Sequence, residues 1–422
     1  MLDCYEYRRF AHLVLVRLLP LYTSQILYNS IESVAASQHK AIMIGLTVEA
    51  RDDRGMFSHD HRTHIRIKSS SQQQHRPSLP QGYAKHHIVY LDSIHMPLAQ
   101  FDFDHTLEVH HSTPANLVAE RIRTATIVVS VLTPVGASDL DQAPNVRLIA
   151  ALCSGCSWID KPYCQRRGID VVHVPHASIE AVGEHFLGLY FACRRRIPAV
   201  NQCVKDTQTW KMKKTLTKHF WTDGPPLSCK QETLGIIGYG RLGQRIEDLC
   251  RNVGFEKVLV AERKDAKTVR EGRLRFEQVL EQSTVLAIAC SLTDEACDMI
   301  HEPELKRMRK DAIIVNIARG GIINEAALAT ALKEGWIYGA ALDVLQNEPA
   351  GPGSSPLLPR TEHGEAEVPN LVFTAHLAWF AGSTMQAMQE CNRDGIAAFI
   401  EDRMTDPSIQ SSVIVHNGRI WK

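Results

Sequence analysis

Three charged residues occupy equivalent positions in the carboxyl-terminal half of the chain: Arg319, Glu348 and His376. Each follows a short apolar run. Ile313-Ile314-Val315 leads through "NIARGG" to Arg319, "GAALDVLQNEP" (339–349) leads to Glu348, and "PNLVFTAHLAW" (369–379) leads to His376. The separations are 29 and 28 residues (348 − 319 and 376 − 348), each about one strand–helix or strand–loop unit. Taken singly they have ordinary explanations: a helix-capping arginine, a loop acid, a core imidazole. Together they form a set that can handle an anionic carbonyl compound. The planar guanidinium grips a carboxylate or carbonyl oxygen. The imidazole gives and takes a proton near neutral pH. A carboxylate hydrogen-bonded to that imidazole fixes its tautomer and favours its charged form. Gly320 and Gly321 let the backbone come close beside the arginine.

Such a set needs a frame that delivers all three side chains to one crevice. Open α/β sheets do this at the carboxyl ends of their strands. The frame is legible upstream, where "TLGIIGYGRLGQRIEDLC" reads as strand, glycine-rich turn and helix. Gly238, Gly240 and Gly243 supply G-x-G-x-x-G: a tight turn, close approach to a pyrophosphate, and helix packing on strand. Leu242, Ile246 and Leu249 follow at helical spacing. A second strand, "VLVAER", ends in Glu262, 24 residues after Gly238 (262 − 238). An acid there accepts both ribose hydroxyls of NAD and favours that cofactor, while Arg263 and Lys264 keep NADP open. With a nicotinamide hydride available, the set reads as 2-oxo acid reduction: hydride to C2, and a proton from His376 to the carbonyl oxygen.

The same alternation of strand and helix signals begins earlier, at "HHIVYLD" (86–92), "TATIVVSV" (124–131), "VRLIAALC" (146–153) and "IDVVHVP" (169–175). The class is α/β with mostly parallel sheets. An amphipathic helix is expected over 178–196 and another over 384–402, the latter able to pack on either domain. Residues 1–82 differ: polar and His-, Ser- and Gln-rich from 51 on, they read as a tail or linker. His59, His61 and His64 have no cysteine or carboxylate framework around them, so no metal is expected.

Lys plus Arg equals Asp plus Glu at 47 each, which removes an overall basic field for nucleic acid. The apolar stretch at 10–22 is interrupted by His12, Arg17 and Pro20, short of the roughly 18–20 residues a membrane helix needs. Eleven cysteines without a repeating spacing point to a reducing, cytoplasmic setting. Cys153-x-x-Cys156 lacks the strand, exposed dithiol and helix start of a thioredoxin site.

"NIARGG", "LDVLQNEP" and "AHLAW", in that order behind "GYGRLG", resemble the D-isomer-specific 2-hydroxyacid dehydrogenases, and "YGRLGQ", "VLVAERK" and "HLAW" resemble the glycerate dehydrogenase/hydroxypyruvate reductase branch. The resemblance spans about residues 86–405. It implies two Rossmann-like domains with an interdomain active-site cleft: a discontinuous substrate-binding domain, 83–192 with 384–410, and an NAD(P)-binding domain, 193–383. It implies Arg319, Glu348 and His376 as catalytic residues, and a substrate loop at "LCSGCSWID" (152–160) with Ser154 and Gly155 holding the carboxylate beside Arg319. The cofactor set becomes Gly238, Gly240, Arg241, Leu242, Gly243, Glu262, Arg263, Ser291, Ala318 and Asp343, the last near the nicotinamide. Trp379 either walls the substrate pocket or is a core aromatic. The family usually dimerises through the nucleotide domain, and a homodimer is expected. The chain departs from the family pattern at Ala375, Ser291 and Ser157-Trp158. A relative of the corepressor type, sensing NAD(H) with little turnover, is the alternative, its partner seat at the tail and the 212–232 segment. Formate dehydrogenase pairs its histidine with Gln, against Glu348 here.

Overall fold

The computed structural model describes residues 79–156, 158–360 and 368–421. The 10–22 stretch, the His59, His61 and His64 cluster, and Ser157 lie outside them. Among the described residues two sheets form, each built from short strands of near-continuous β-branched and aliphatic residues. Such strands are buried on both faces and suit a parallel sheet covered by helices.

The first sheet uses β1 (His86–Tyr90), β2 (His105–Val109), β3 (Ile127–Ser130), β4 (Leu148–Ala151) and β5 (Asp170–Val172), all parallel. Two strands from the end of the chain complete it: β12 (Val413–His416) pairs antiparallel with β5, and β13 (Arg419–Ile420) with β12. The order is β13-β12-β5-β4-β3-β1-β2. These closing strands carry the first sheet beyond residue 410, the bound expected for this body. The second sheet is wholly parallel, in the order β11-β10-β9-β8-β6-β7. Its strands are β6 (Thr233–Ile237), β7 (Lys257–Val260), β8 (Val285–Ile288), β9 (Ile313–Asn316), β10 (Gly339–Leu342) and β11 (Leu371–Phe373).

Two long helices decide how the chain is shared between the sheets. The Gly382–Ile400 helix buries Met388, Ile396, Ala398 and Ile400 in the first core, which resolves its packing in favour of that body. The Ile179–Arg194 helix goes the other way. Its apolar face of Val182, Phe186, Leu189, Tyr190 and Cys193 is buried with Leu234, Ile236, Val285 and Ile313 of the second sheet. This helix, expected with the first body up to residue 192, packs against the second sheet, where its large apolar face meets the apolar strands β6, β8 and β9. Gly183 makes the fit close, since a Cβ there would stand 2.9 Å from Leu249 Cδ1 on the Arg241–Asn252 helix.

Candidate active site

Each strand of the second sheet ends in a turn carrying one of the predicted residues. β9 runs into Arg319, held by a turn that Asn316 shapes: its buried amide accepts from the Ala318 amide (3.0 Å) and donates to the Arg319 carbonyl (2.8 Å). Gly320 is forced by its neighbour, because a Cβ there would lie 1.9 Å from the Leu345 carbonyl oxygen. The turn after β10 carries Glu348, whose Oε1 accepts from the Leu345 amide at 2.8 Å. The turn after β11 carries His376, whose Nδ1 lies 2.6 Å from Glu348 Oε2. Both side chains are about one-third exposed, so the pair opens to solvent on one side.

Burial pushes the Glu348 carboxyl up, but the His376 hydrogen bond, the Leu345 amide and the Arg319 charge outweigh it and hold the group below the usual carboxylate range. Glu348 therefore presents an anion to the imidazole. Arg319 in turn reaches the first body. A Cβ on Gly155 would stand 2.1 Å from Arg319 Nη2, so the tip of the guanidinium abuts the loop after β4. Arg319 Nη1 also donates to the Ala318 carbonyl at 2.7 Å. Ser154 is exposed beside it, its carbonyl bonded to His173 Nδ1 at 2.9 Å. The carboxyl-end loops of both sheets thus meet at Arg319, Glu348, His376 and Gly155.

The positions of two predicted cofactor contacts differ from expectation. Asp343 is 1 % exposed, and its carboxylate is filled by the loop that presents His376. Leu377 and Ala378 amides donate to it at 2.9 Å each, and the Thr374 hydroxyl at 2.6 Å. The His376 amide also donates to the Asp343 carbonyl at 2.7 Å. These bonds hold His376 at φ +54°, a backbone region costly for a residue other than glycine. Asp343 therefore braces the His376 loop. Glu262 is likewise closed, its carboxylate taken by Arg270. Trp379 is half-buried against both the first core and the core under the Ile179–Arg194 helix, a packing position.

Reading by position missed the supports. His185 Nε2 lies 2.8 Å from Thr374 Oγ1 and extends the Asp343 network to the Ile179–Arg194 helix. Glu325 accepts from the Gln346 amide (2.7 Å) and Ser355 hydroxyl (2.6 Å), pinning the Glu348 turn. Asp92, 3 % exposed, accepts amides of Val131, Leu132 and Thr133 at 2.8 Å each and fixes the turn after β3. None sits in a chemical motif, and each bonds a segment distant in sequence, which no local pattern signals.

The glycine turn fits a dinucleotide pyrophosphate. Gly238 has φ +93°, and a Cβ there would meet Cys290 N at 2.5 Å. A Cβ on Gly243 would stand 2.3 Å from the Gly238 carbonyl oxygen, whereas Gly240 faces open space where a ligand can approach. The Arg241–Asn252 helix starts there, directing its first amides at an anion. Arg241 and Ser291 are exposed, Leu242 is half-buried, and Ala318 is buried beside the Arg319 turn. Burial pushes the Cys153 thiol up to about 12, and also raises Cys156, which leaves neither a ready nucleophile.

Two mostly parallel α/β bodies, the second carrying a glycine-rich dinucleotide cradle, define the class of fold. Residues 187–378 match the model of the NAD binding domain of D-isomer specific 2-hydroxyacid dehydrogenases. The chain is 34 % identical over 317 residues to a glycerate dehydrogenase of Methylorubrum extorquens, covering 74 % of this chain and 96 % of that one. It is 33 % identical over 286 residues to a glyoxylate reductase of Thermofilum pendens, covering 66 % and 79 %. The fold is similar to that of the NADPH-dependent glyoxylate/hydroxypyruvate reductase of Sinorhizobium meliloti, at TM-score 0.62 and 20 % identity over 80 % of this chain and 99 % of that one. This chain belongs to the D-isomer-specific 2-hydroxyacid dehydrogenase family, in its glycerate dehydrogenase branch. It is an NAD(P)-dependent enzyme.

Proposed function

We propose that the chain reversibly reduces a small 2-oxo acid of glyoxylate or hydroxypyruvate size to the D-2-hydroxy acid, with Arg319, Glu348 and His376 as its catalytic residues. The 2.6 Å His376–Glu348 bond, with Arg319 lying on Gly155, carries this reading. The Gly238–Gly243 turn and the start of the Arg241–Asn252 helix would hold the dinucleotide, which when bound would supply or accept the hydride at C2. His376 Nε2, the nitrogen that Glu348 does not hold, gives its proton to the carbonyl oxygen on reduction and takes it back on oxidation. Glu348 keeps the imidazole in the Nδ1–H tautomer and fixes its orientation. Arg319 binds the substrate's carboxylate and carbonyl edge, with the Ser154 and Gly155 amides on its other side. Closing the first body on the second excludes water from that edge.

In this reading the first sheet's body binds the acid and the second sheet's body binds the dinucleotide. The relatives named for glyoxylate and glycerate support the substrate size. Two further features belong to the proposal. The enzyme works in the cytoplasm, consistent with ten described cysteines that are all free. It forms a homodimer through the nucleotide body, where Ile197, Trp210 and Met212 are exposed at 52 %, 54 % and 72 %. No helix among the described residues is long and apolar enough to cross a membrane.

The test follows NADH and, separately, NADPH oxidation with glyoxylate, hydroxypyruvate, pyruvate and longer 2-oxo acids. Turnover is expected with the smaller acids. His376→Ala is expected to lower kcat by about 100- to 10,000-fold with cofactor binding kept. An active His376→Ala enzyme would overturn the proton donor. Tight NADH binding with no turnover of any acid would favour a sensing protein instead.

A further inference from the structure

The acid that should read the ribose is closed. Arg270 reaches back over eight residues and takes both Glu262 oxygens, Nε to Oε2 at 2.7 Å and Nη2 to Oε1 at 2.5 Å. The Arg263 amide donates to Oε1 at 2.9 Å and the Arg270 amide to Oε2 at 3.2 Å. Backbone structure holds this clamp in place. Ala261 pairs with Leu274 in a bridge, the Glu262 amide donates to the Leu274 carbonyl (2.8 Å), and Leu274 donates to Val260 (2.9 Å). The Glu262 side chain is 4 % exposed and that of Arg270 57 %, so the clamp covers the carboxylate and shows a cation to solvent.

The charges around it complete the case. Lys264 is withdrawn, its ammonium on Glu304 at 2.9 Å and the Met299 carbonyl at 3.1 Å. Arg263 is exposed, with Glu295 as the acid near it. Arg270 uses Nε and Nη2 on Glu262, leaving Nη1 to point elsewhere. A ribose diol can reach Glu262 only by displacing charge-assisted guanidinium bonds with neutral hydroxyl bonds, an unfavourable exchange. A 2′-phosphate needs no such displacement, because the Arg270 guanidinium already stands at the acid's position and the exposed Arg263 follows the acid directly in the chain.

We infer that Arg270 sets cofactor choice in this enzyme: it closes Glu262 to the ribose diol and, with Arg263, offers guanidinium donors to a 2′-phosphate. The enzyme then binds the 2′-phosphorylated dinucleotide at least as tightly as the plain one, opposite to what Glu262 implies by position alone. The inference rests on the dinucleotide cradle and not on the catalytic roles proposed above.

Isothermal titration of the purified full chain with NADP+ and NAD+, without any acid, tests it. The wild type is expected to bind NADP+ as tightly as NAD+ or more so. Arg270→Gln is expected to weaken NADP+ by about tenfold or more and to tighten NAD+, since a freed Glu262 can take the diol. Arg270→Lys, with charge but no fork, should fall between, and melting curves confirm that each variant is folded. A wild-type preference for NAD+ beyond about tenfold overturns the inference, as does an Arg270→Gln ratio within about twofold of wild type. Equal weakening of both nucleotides also overturns it, leaving Arg270 a loop brace. Folded protein that binds neither nucleotide overturns it as well. Protein that shows the expected ratio yet turns over no 2-oxo acid refutes the proposed function and leaves this assignment standing.

Discussion

His376 and Glu348 are joined by a 2.6 Å hydrogen bond, and the direction of the Glu348 shift makes that pairing testable by pH. Its carboxyl is held below the ordinary 4.5 by the imidazole, the Leu345 amide and Arg319, which together overcome burial. A lowered carboxyl stabilises the fold above its unfolded value, and that contribution disappears as pH falls through the folded value. Glu348→Gln should therefore melt at a lower temperature than wild type at pH 6–8, with the gap closing below about pH 4. Differential scanning calorimetry across pH would show it, and a gap that stays constant into acid would break the argument. Asp343→Ala makes the companion case. It strips an acceptor from Thr374, Leu377 and Ala378, at about 1–3 kcal/mol for each donor left buried and unpaired. Both the melting temperature and kcat should fall, because the loop that holds His376 at φ +54° loses its brace.

Among the elements, the turns after strands do the positioning, and two glycines there separate binding from folding. At Gly155 the obstruction to a methyl group is the tip of Arg319, which can swing away. Gly155→Ala should raise KM for the 2-oxo acid while leaving the dinucleotide Kd within about twofold. At Gly320 the obstruction is the Leu345 backbone oxygen, which cannot move without breaking the β10 turn. Gly320→Ala should fail to give soluble protein, measured by expression and gel filtration. Equal behaviour of the two variants would show that the close approaches at Arg319 are not what these glycines are for.

For the molecule as a whole, one buried ion pair fastens the Ile179–Arg194 helix to the far end of the second sheet. Arg194 and Glu232, 2 % and 0 % exposed, form a two-point pair at 2.6 Å and 2.9 Å. The guanidinium also donates to the Asp311 and Thr284 carbonyls, and the Thr284 hydroxyl to Glu232. Removing one partner strands a buried charge, so Glu232→Ala should cost about 3–5 kcal/mol in chemical denaturation. At temperatures where it remains folded its KM values should match wild type, since the pair lies at the opposite strand ends from the Arg319, Glu348 and His376 turns. A Glu232→Ala protein as stable as wild type would mean the helix is held by its apolar face alone.

Sequence by itself determined the repeat of strand and helix, the glycine cradle and the three charged residues. These are local facts, written as periodicity and as residue types at fixed offsets from strand ends. The tertiary structure alone decided what each charged group faces. Glu262 stands where an acid should meet a ribose, but a loop eight residues later folds Arg270 onto it, a contact no spacing rule encodes. Asp343 directly follows β10 beside the site, yet its buried carboxylate is taken by the Thr374 hydroxyl and the amides of the His376 loop. The Ile179–Arg194 helix has an apolar face either sheet could accept, and strands β12 and β13 are too short to announce themselves. In each case the outcome depends on competition between distant groups for one partner, and only the folded chain brings those groups together.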